Sequence, residues 1–125
     1  MSCSKHNSGC GSGGGSIDTA FNYVLSAGGL AYDAYYPYKS DESGQTGTCV
    51  EFDGEKFTPA VTLSAVNAIS GETTAVANYV SSTGPVTVYI DATALQTYTG
   101  GVITAASCPA DGSYVNHAGR IILYR

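Results

Sequence analysis

The stretch Gly84-Pro85-Val86-Thr87-Val88-Tyr89-Ile90 decides the fold class. Proline fixes φ and has no N–H to donate, so Gly84-Pro85 stops a helix. Val86, Val88 and Ile90 then alternate with Thr87 and Tyr89, the period-two pattern of a strand with one buried face. Upstream, Ser70-Gly71-Glu72 opens the helix that Pro85 ends, and Ala75, Val76, Tyr79 and Val80 are expected inward. An earlier helix is clearer still. Ile17, Ala20, Phe21, Val24 and Leu25 recur at i, i+3, i+4, i+7 and i+8, one apolar stripe. Ser16 suits its N-cap, Asp18 its positive dipole end, and Gly28-Gly29 its left-handed exit. Downstream, Tyr98 to Thr104 predicts a turn and short strand around Gly100-Gly101. His117 to Tyr124 predicts a last strand, with Ile121-Ile122-Leu123 buried on both faces. Helix first and strands later is an α+β pattern.

Between these elements the pattern weakens. Residues 1–15 form a Gly/Ser-rich loop carrying Cys3 and Cys10. Residues 30–59 read as irregular, with an extended Tyr35-Tyr36-Pro37-Tyr38 and a polar loop from Asp41 to Gly47. Val61 to Ile69 carries alternating and β-branched residues and predicts a strand. No internal repeat is present.

The chain has 125 residues, enough for one domain. Hydrophobic residues make up 43%, which supports a core of ordinary density. The net charge of −5 argues against nucleic acid and against an anionic membrane surface, both of which attract basic proteins. No run of about 18 apolar residues marks a membrane helix. Met1-Ser2-Cys3-Ser4 shows no signal-peptide pattern. Met1 is the one methionine, and it reads as a start that replaces a longer natural N-terminus. Sixteen glycines and ten tyrosines against five Lys and Arg suggest a secreted or lysosomal/vesicular protein. Four cysteines agree with an oxidising compartment, while reduced structural thiols remain the alternative.

His117 is the first candidate for chemistry. Imidazole titrates near neutral pH and serves as a general base. A lone histidine is more often structural. Here, however, it opens a predicted strand, which would hold it rigidly at the edge of a cleft. Cys10 is separated from the helix at Ser16 by Gly11-Ser12-Gly13-Gly14-Gly15, so neither it nor Cys3 has the helix N-terminus that activates a thiolate. No metal is expected, because His6 and His117 lack partners at ligand spacing. No cofactor is expected. Gly11 to Gly15 lacks the Lys-Ser/Thr and the preceding strand of a phosphate loop.

Taken in order, Cys3…Gly9-Cys10…Gly14-Gly15, Tyr36-Pro37-Tyr38, Gly84-Pro85-Val86, Tyr98-Thr99-Gly100-Gly101-Val102 and Val115-Asn116-His117-Ala118 resemble the middle and late parts of a papain-like cysteine peptidase. The resemblance implies a partial papain-like fold over residues 1–125, with a helical, disulfide-bearing part at 1–60 and a β-rich part at 61–125. It matches Asn116-His117-Ala118 to the family motif in which the histidine draws the proton from a cysteine thiol. It implies that Cys3 pairs with Cys49, a closure worth roughly 3–4 kcal/mol on a chain-entropy estimate. It leaves Cys10 and Cys108 unpaired or newly paired. Gly14-Gly15 resembles the pair that runs its backbone alongside an extended substrate. This chain departs there by having three residues, Gly11-Ser12-Gly13, where the family has one. Ile17, Tyr89, Val115 and Ala118 match positions lining a substrate side-chain pocket, and would equally serve as plain core.

No segment here resembles the family's Cys-Gly-Ser-Cys-Trp or its later Asn-Ser-Trp. The expected function is therefore that of a peptidase portion, inactive alone, that acts on peptide or protein substrate once a Cys-bearing segment completes it. The alternative is a non-catalytic, self-assembling binding or structural protein on the same fold. A truncated domain would expose the stripe of Ile17, Phe21 and Val24 and the inner side near Val88, so self-association or a partner chain is expected.

Overall fold

The computed structural model describes residues 3–4, 14–50, 58–106, 108 and 114–122. The chain divides into two compact units, residues 1–68 and 69–125. Its described elements are three α-helices, one 3-10 turn and two antiparallel strands. That is the expected α+β composition.

The first unit holds α1 (Ile17–Ala27) and α2 (Ser40–Ser43). The apolar stripe of α1 turns inward. Val24 is 8% exposed, and Ile17, Phe21 and Leu25 are half-buried. Of the stripe expected to lie bare, Val24 is buried, while Ile17 and Phe21 remain partly exposed. Gly28 ends the helix at φ 80°. The Gly28 N–H donates to the Leu25 carbonyl at 3.3 Å and the Gly29 N–H to the Val24 carbonyl at 3.0 Å, a Schellman closure. Gly29 has a second task. The Leu30 N–H donates to Val61 O at 2.9 Å and the Ala60 N–H to Leu30 O at 2.7 Å, so residues 59–61 press against the helix exit. A Cβ on Gly29 would sit 2.5 Å from Val61 O.

Cys3 and Cys49 form a disulfide with Cα atoms 4.7 Å apart. Tyr36 secures this corner. Its hydroxyl accepts the Val50 N–H at 3.2 Å. The same hydroxyl lies 3.7 Å from Cys3 Sγ, and must be the donor there because a disulfide sulfur carries no proton. The polar segment predicted as a loop contains the single turn of α2, closed by Gly44 at φ 61°. Tyr35 is not extended. It belongs to a turn in which the Tyr35 and Tyr36 N–H groups both donate to Tyr32 O.

The second unit holds α3 (Thr73–Ser82), β1 (Val86–Ile90), a 3-10 turn at Thr93–Leu95 and β2 (His117–Ile121). α3 packs on β1. Ala77, Val80 and Val86 supply the buried core. On α3 the inward residues are Ala77 and Val80 with half-buried Ala75 and Val76, while Tyr79 is exposed. β1 and β2 pair antiparallel from Val86↔Ile121 to Ile90↔His117. This register and the alternation of a strand sort the ribbon into two faces. Val86, Val88, Ile90, His117, Gly119 and Ile121 share one, and Thr87, Tyr89, Ala118 and Arg120 share the other.

Three strand expectations fail as well. Val61 to Ile69 is not a strand, since Val61 makes an isolated bridge to Leu30 and the following segment finds no ladder partner among the described residues. Tyr98 to Thr104 is a loop rather than a strand. Gly100 and Gly101 both have positive φ, and the Tyr98 hydroxyl folds back to donate to Gly101 O. The final strand stops at Ile121. Ile122 is 65% exposed, and Leu123 lies outside the described residues.

Candidate functional site

His117 is the first residue of β2 and is exposed. Its position is set from both sides. Across the ribbon it pairs with Ile90. Along its own face it lies over Gly119, where a Cβ would stand 4.0 Å from both His117 Cδ2 and Ile90 Cδ1. A methyl group there would make ordinary van der Waals contact with both, so the ring packs over position 119 without crowding.

The residue before it, Asn116, ties the start of β2 to the loop that follows β1. The Asn116 N–H donates to Ile90 O at 3.2 Å. Its side-chain Oδ1 accepts the Ala92 N–H at 2.8 Å. Its Nδ2 donates to Thr93 Oγ1 at 3.1 Å and to Asp91 Oδ1 at 3.3 Å. Asp91 Oδ1 also accepts the Thr93 N–H at 2.9 Å and the Thr93 hydroxyl at 2.6 Å. The Asp91 carboxyl is held below its ordinary value, first by the Thr93 hydroxyl, then by the Thr93 N–H, with a smaller contribution from Asn116; partial desolvation opposes these. Asp91 therefore stays an anion and an acceptor into mild acid.

The sequence reading missed Asp91 and Thr93. A signal was available. Asp91-Ala92-Thr93 directly after a strand is the pattern of an Asx turn, in which the carboxylate accepts the N–H two residues on.

The residues expected to bind substrate fall into three places. Tyr89 and Ala118 are direct cross-strand partners on the exposed face of the ribbon. Val115 precedes β2 and is 56% exposed. Gly14, Gly15 and Ile17 belong to the first unit, where Gly14 and Gly15 are exposed and Ile17 opens α1 half-buried. Gly14 has φ 55° with open space around its Cα. Strand alternation sets Tyr89 and Ala118 on the face opposite the His117 position. Cys108 is a free, half-buried thiol. Cys10 lies outside the described residues.

These features fall within one recognised protein class. The family "Papain family cysteine protease" matches residues 1–125, and the chain belongs to that family. Relatives include cysteine proteinase 1 of Zea mays, 36% identical over 119 residues, covering 94% of this chain and 29% of the relative. Digestive cysteine proteinase 2 of Homarus americanus is 34% identical over 121 residues, covering 94% and 35%. Cathepsin W of Mus musculus is 30% identical over 118 residues, covering 94% and 30%. The chain spans about a third of the length of these relatives.

Proposed function

We propose that this chain supplies the general-base histidine and part of the substrate cleft of a cysteine endopeptidase. The observation that carries this reading is the whole-chain match to the papain family together with His117, exposed and register-locked at the start of β2. Imidazole there would take the proton of a cysteine thiol and stabilise the thiolate as an ion pair. Cys3 and Cys49 are consumed in their disulfide, so neither is that nucleophile. The thiol is assigned to a segment outside residues 1–125. Val115, directly before β2, offers apolar surface for a substrate side chain, Tyr89 and Ala118 offer a second apolar patch on the other face of the ribbon, and Gly14-Gly15 an accessible backbone for pairing with an extended peptide. Both units then belong to one papain-like domain. Its expected home is a secreted or lysosomal compartment, supported by the disulfide. The partner is a peptide or protein substrate.

A thiol-directed covalent peptidase probe tests this reading. Added to this chain with a Cys-bearing papain-family segment, the probe labels that segment's cysteine, and His117→Gln abolishes labelling while circular dichroism is unchanged. The chain alone is not labelled and hydrolyses no fluorogenic dipeptide. General-base help to water is worth roughly 10²–10⁴-fold, short of the ~10⁶-fold or more of a typical enzyme. Labelling of Cys10 or Cys108 in the chain alone would overturn the assignment of the nucleophile. Labelling that survives His117→Gln would overturn the base. A self-associated chain that never labels would favour a structural module.

A further inference from the structure

We infer that Asp91 and Thr93 are positioning residues for His117, acting through the side-chain amide of Asn116. The inference rests on the reading of His117 as the base.

His117 occupies the last pair of the described ladder, opposite Ile90. Terminal pairs of a two-stranded ribbon fray, because they are supported from one side and such ribbons are marginal in water. A frayed pair would let the His117 backbone turn and scatter the ring. Beyond Ile90 and His117 the ladder ends, and the Asp91–Thr93–Asn116 cluster takes over. Its donors and acceptors fit one orientation. Ala92 offers an N–H, so Asn116 must present Oδ1 to it. That turns Nδ2 toward Thr93 Oγ1 and Asp91 Oδ1. Thr93 has a single hydroxyl proton and gives it to Asp91, which leaves its lone pair for Asn116. The Ala92 N–H thus sets the direction of the Asn116 amide, and Asp91, as a pure acceptor, sets that of the Thr93 hydroxyl. Without it the Thr93 proton is free to turn, and the hydroxyl can present that proton to the Asn116 amide. The strand start is then held by the Asn116 contacts to Ala92 and Ile90 alone.

The test uses the full 125-residue chain, observed by NMR. Asp91→Ala and Thr93→Ala are expected to shift the His117 ring signals and to weaken the Ile90–His117 cross-strand NOE. Asp91→Asn and Thr93→Ser keep an acceptor and a hydroxyl in place, so both are expected to restore the wild-type values. Asp18→Ala, in the first unit, serves as control. A purely structural cluster would lower the unfolding midpoint and leave the folded-state ring signals untouched. Unchanged ring signals and NOE in folded Asp91→Ala would overturn the inference. If that variant does not fold, the Thr93→Ala and Thr93→Ser pair gives the same reading. The base role is read separately, from probe labelling of the completed peptidase. Shifted ring signals combined with labelling that survives His117→Gln would keep the positioning and remove the base.

Discussion

Tyr89 stands directly opposite Ala118 across the β1–β2 ribbon, on its exposed face. Val86, three residues earlier, belongs to the other face and is buried. The two faces should therefore answer differently to truncation. Cross-strand pairs contribute about 0.2–1 kcal/mol, so loss of the Tyr89–Ala118 pair in Tyr89→Ser is expected to cost on that order. Val86→Ala removes two buried methyl groups and leaves a cavity, at about 2 kcal/mol. Urea unfolding of both variants checks this. Equal losses would show that the exposed face is covered in solution.

Gly29 and Gly44 both have positive φ, at 139° and 61°. Their surroundings differ. A Cβ at Gly44 meets nothing within 4 Å, whereas one at Gly29 runs into Val61 O and Pro59. Gly44→Ala should cost about 1–2 kcal/mol, the ordinary left-handed penalty. Gly29→Ala should cost more and displace residues 59–61, breaking the Leu30–Val61 bridge. Thermal unfolding and loss of protection at the Leu30 amide are the readouts.

What the sequence revealed follows from how local each signal is. α1 was legible because five apolar residues and a Gly-Gly exit lie within thirteen consecutive positions, Ile17 to Gly29. β1 was legible because its alternation is local too. Val61 to Ile69 has equally good strand composition, yet a strand needs a partner, and its one bridge is to Leu30. Ile121-Ile122 suggested burial on both faces, but β2 is paired in a two-stranded ribbon that leaves Ile122 exposed. In the candidate site, His117 could be found by motif. Behind it, the Asx turn of Asp91 and Thr93 carried a local signal, but its tie to Asn116 did not, because Asn116 reaches them across 25 and 23 residues of chain.

The Cys3–Cys49 bond spans 46 residues. On a chain-entropy estimate its loss costs roughly 3–4 kcal/mol. A Cys3→Ala/Cys49→Ala variant should therefore unfold at clearly lower urea than the parent, while Cys108→Ala, at a free thiol, changes little. Tyr36→Phe removes the acceptor for the Val50 N–H and should cost about 0.5–1.5 kcal/mol. Additivity of Tyr36→Phe with the double cysteine variant would show that Tyr36 does not act through the disulfide corner.

Asp91 gives the chain an acid-sensitive element whose sign is fixed. Its carboxyl is held below the ordinary value of 3.8 in the folded state, chiefly by the Thr93 hydroxyl and then the Thr93 N–H. The unfolded chain therefore binds a proton at a higher pH than the folded chain does. The stabilisation is fully present above the ordinary carboxylate range. It is lost as pH falls through the lower, folded-state value. Asp91→Asn keeps the acceptor oxygen but has no charge to titrate, so it lacks this dependence. Urea midpoints from about pH 6 to about pH 2 should show the parent ahead of Asp91→Asn at the upper end, with the gap closing in acid. A gap that stays constant with pH would mean that Asp91 titrates alike in both states and that Thr93 does not hold its charged form.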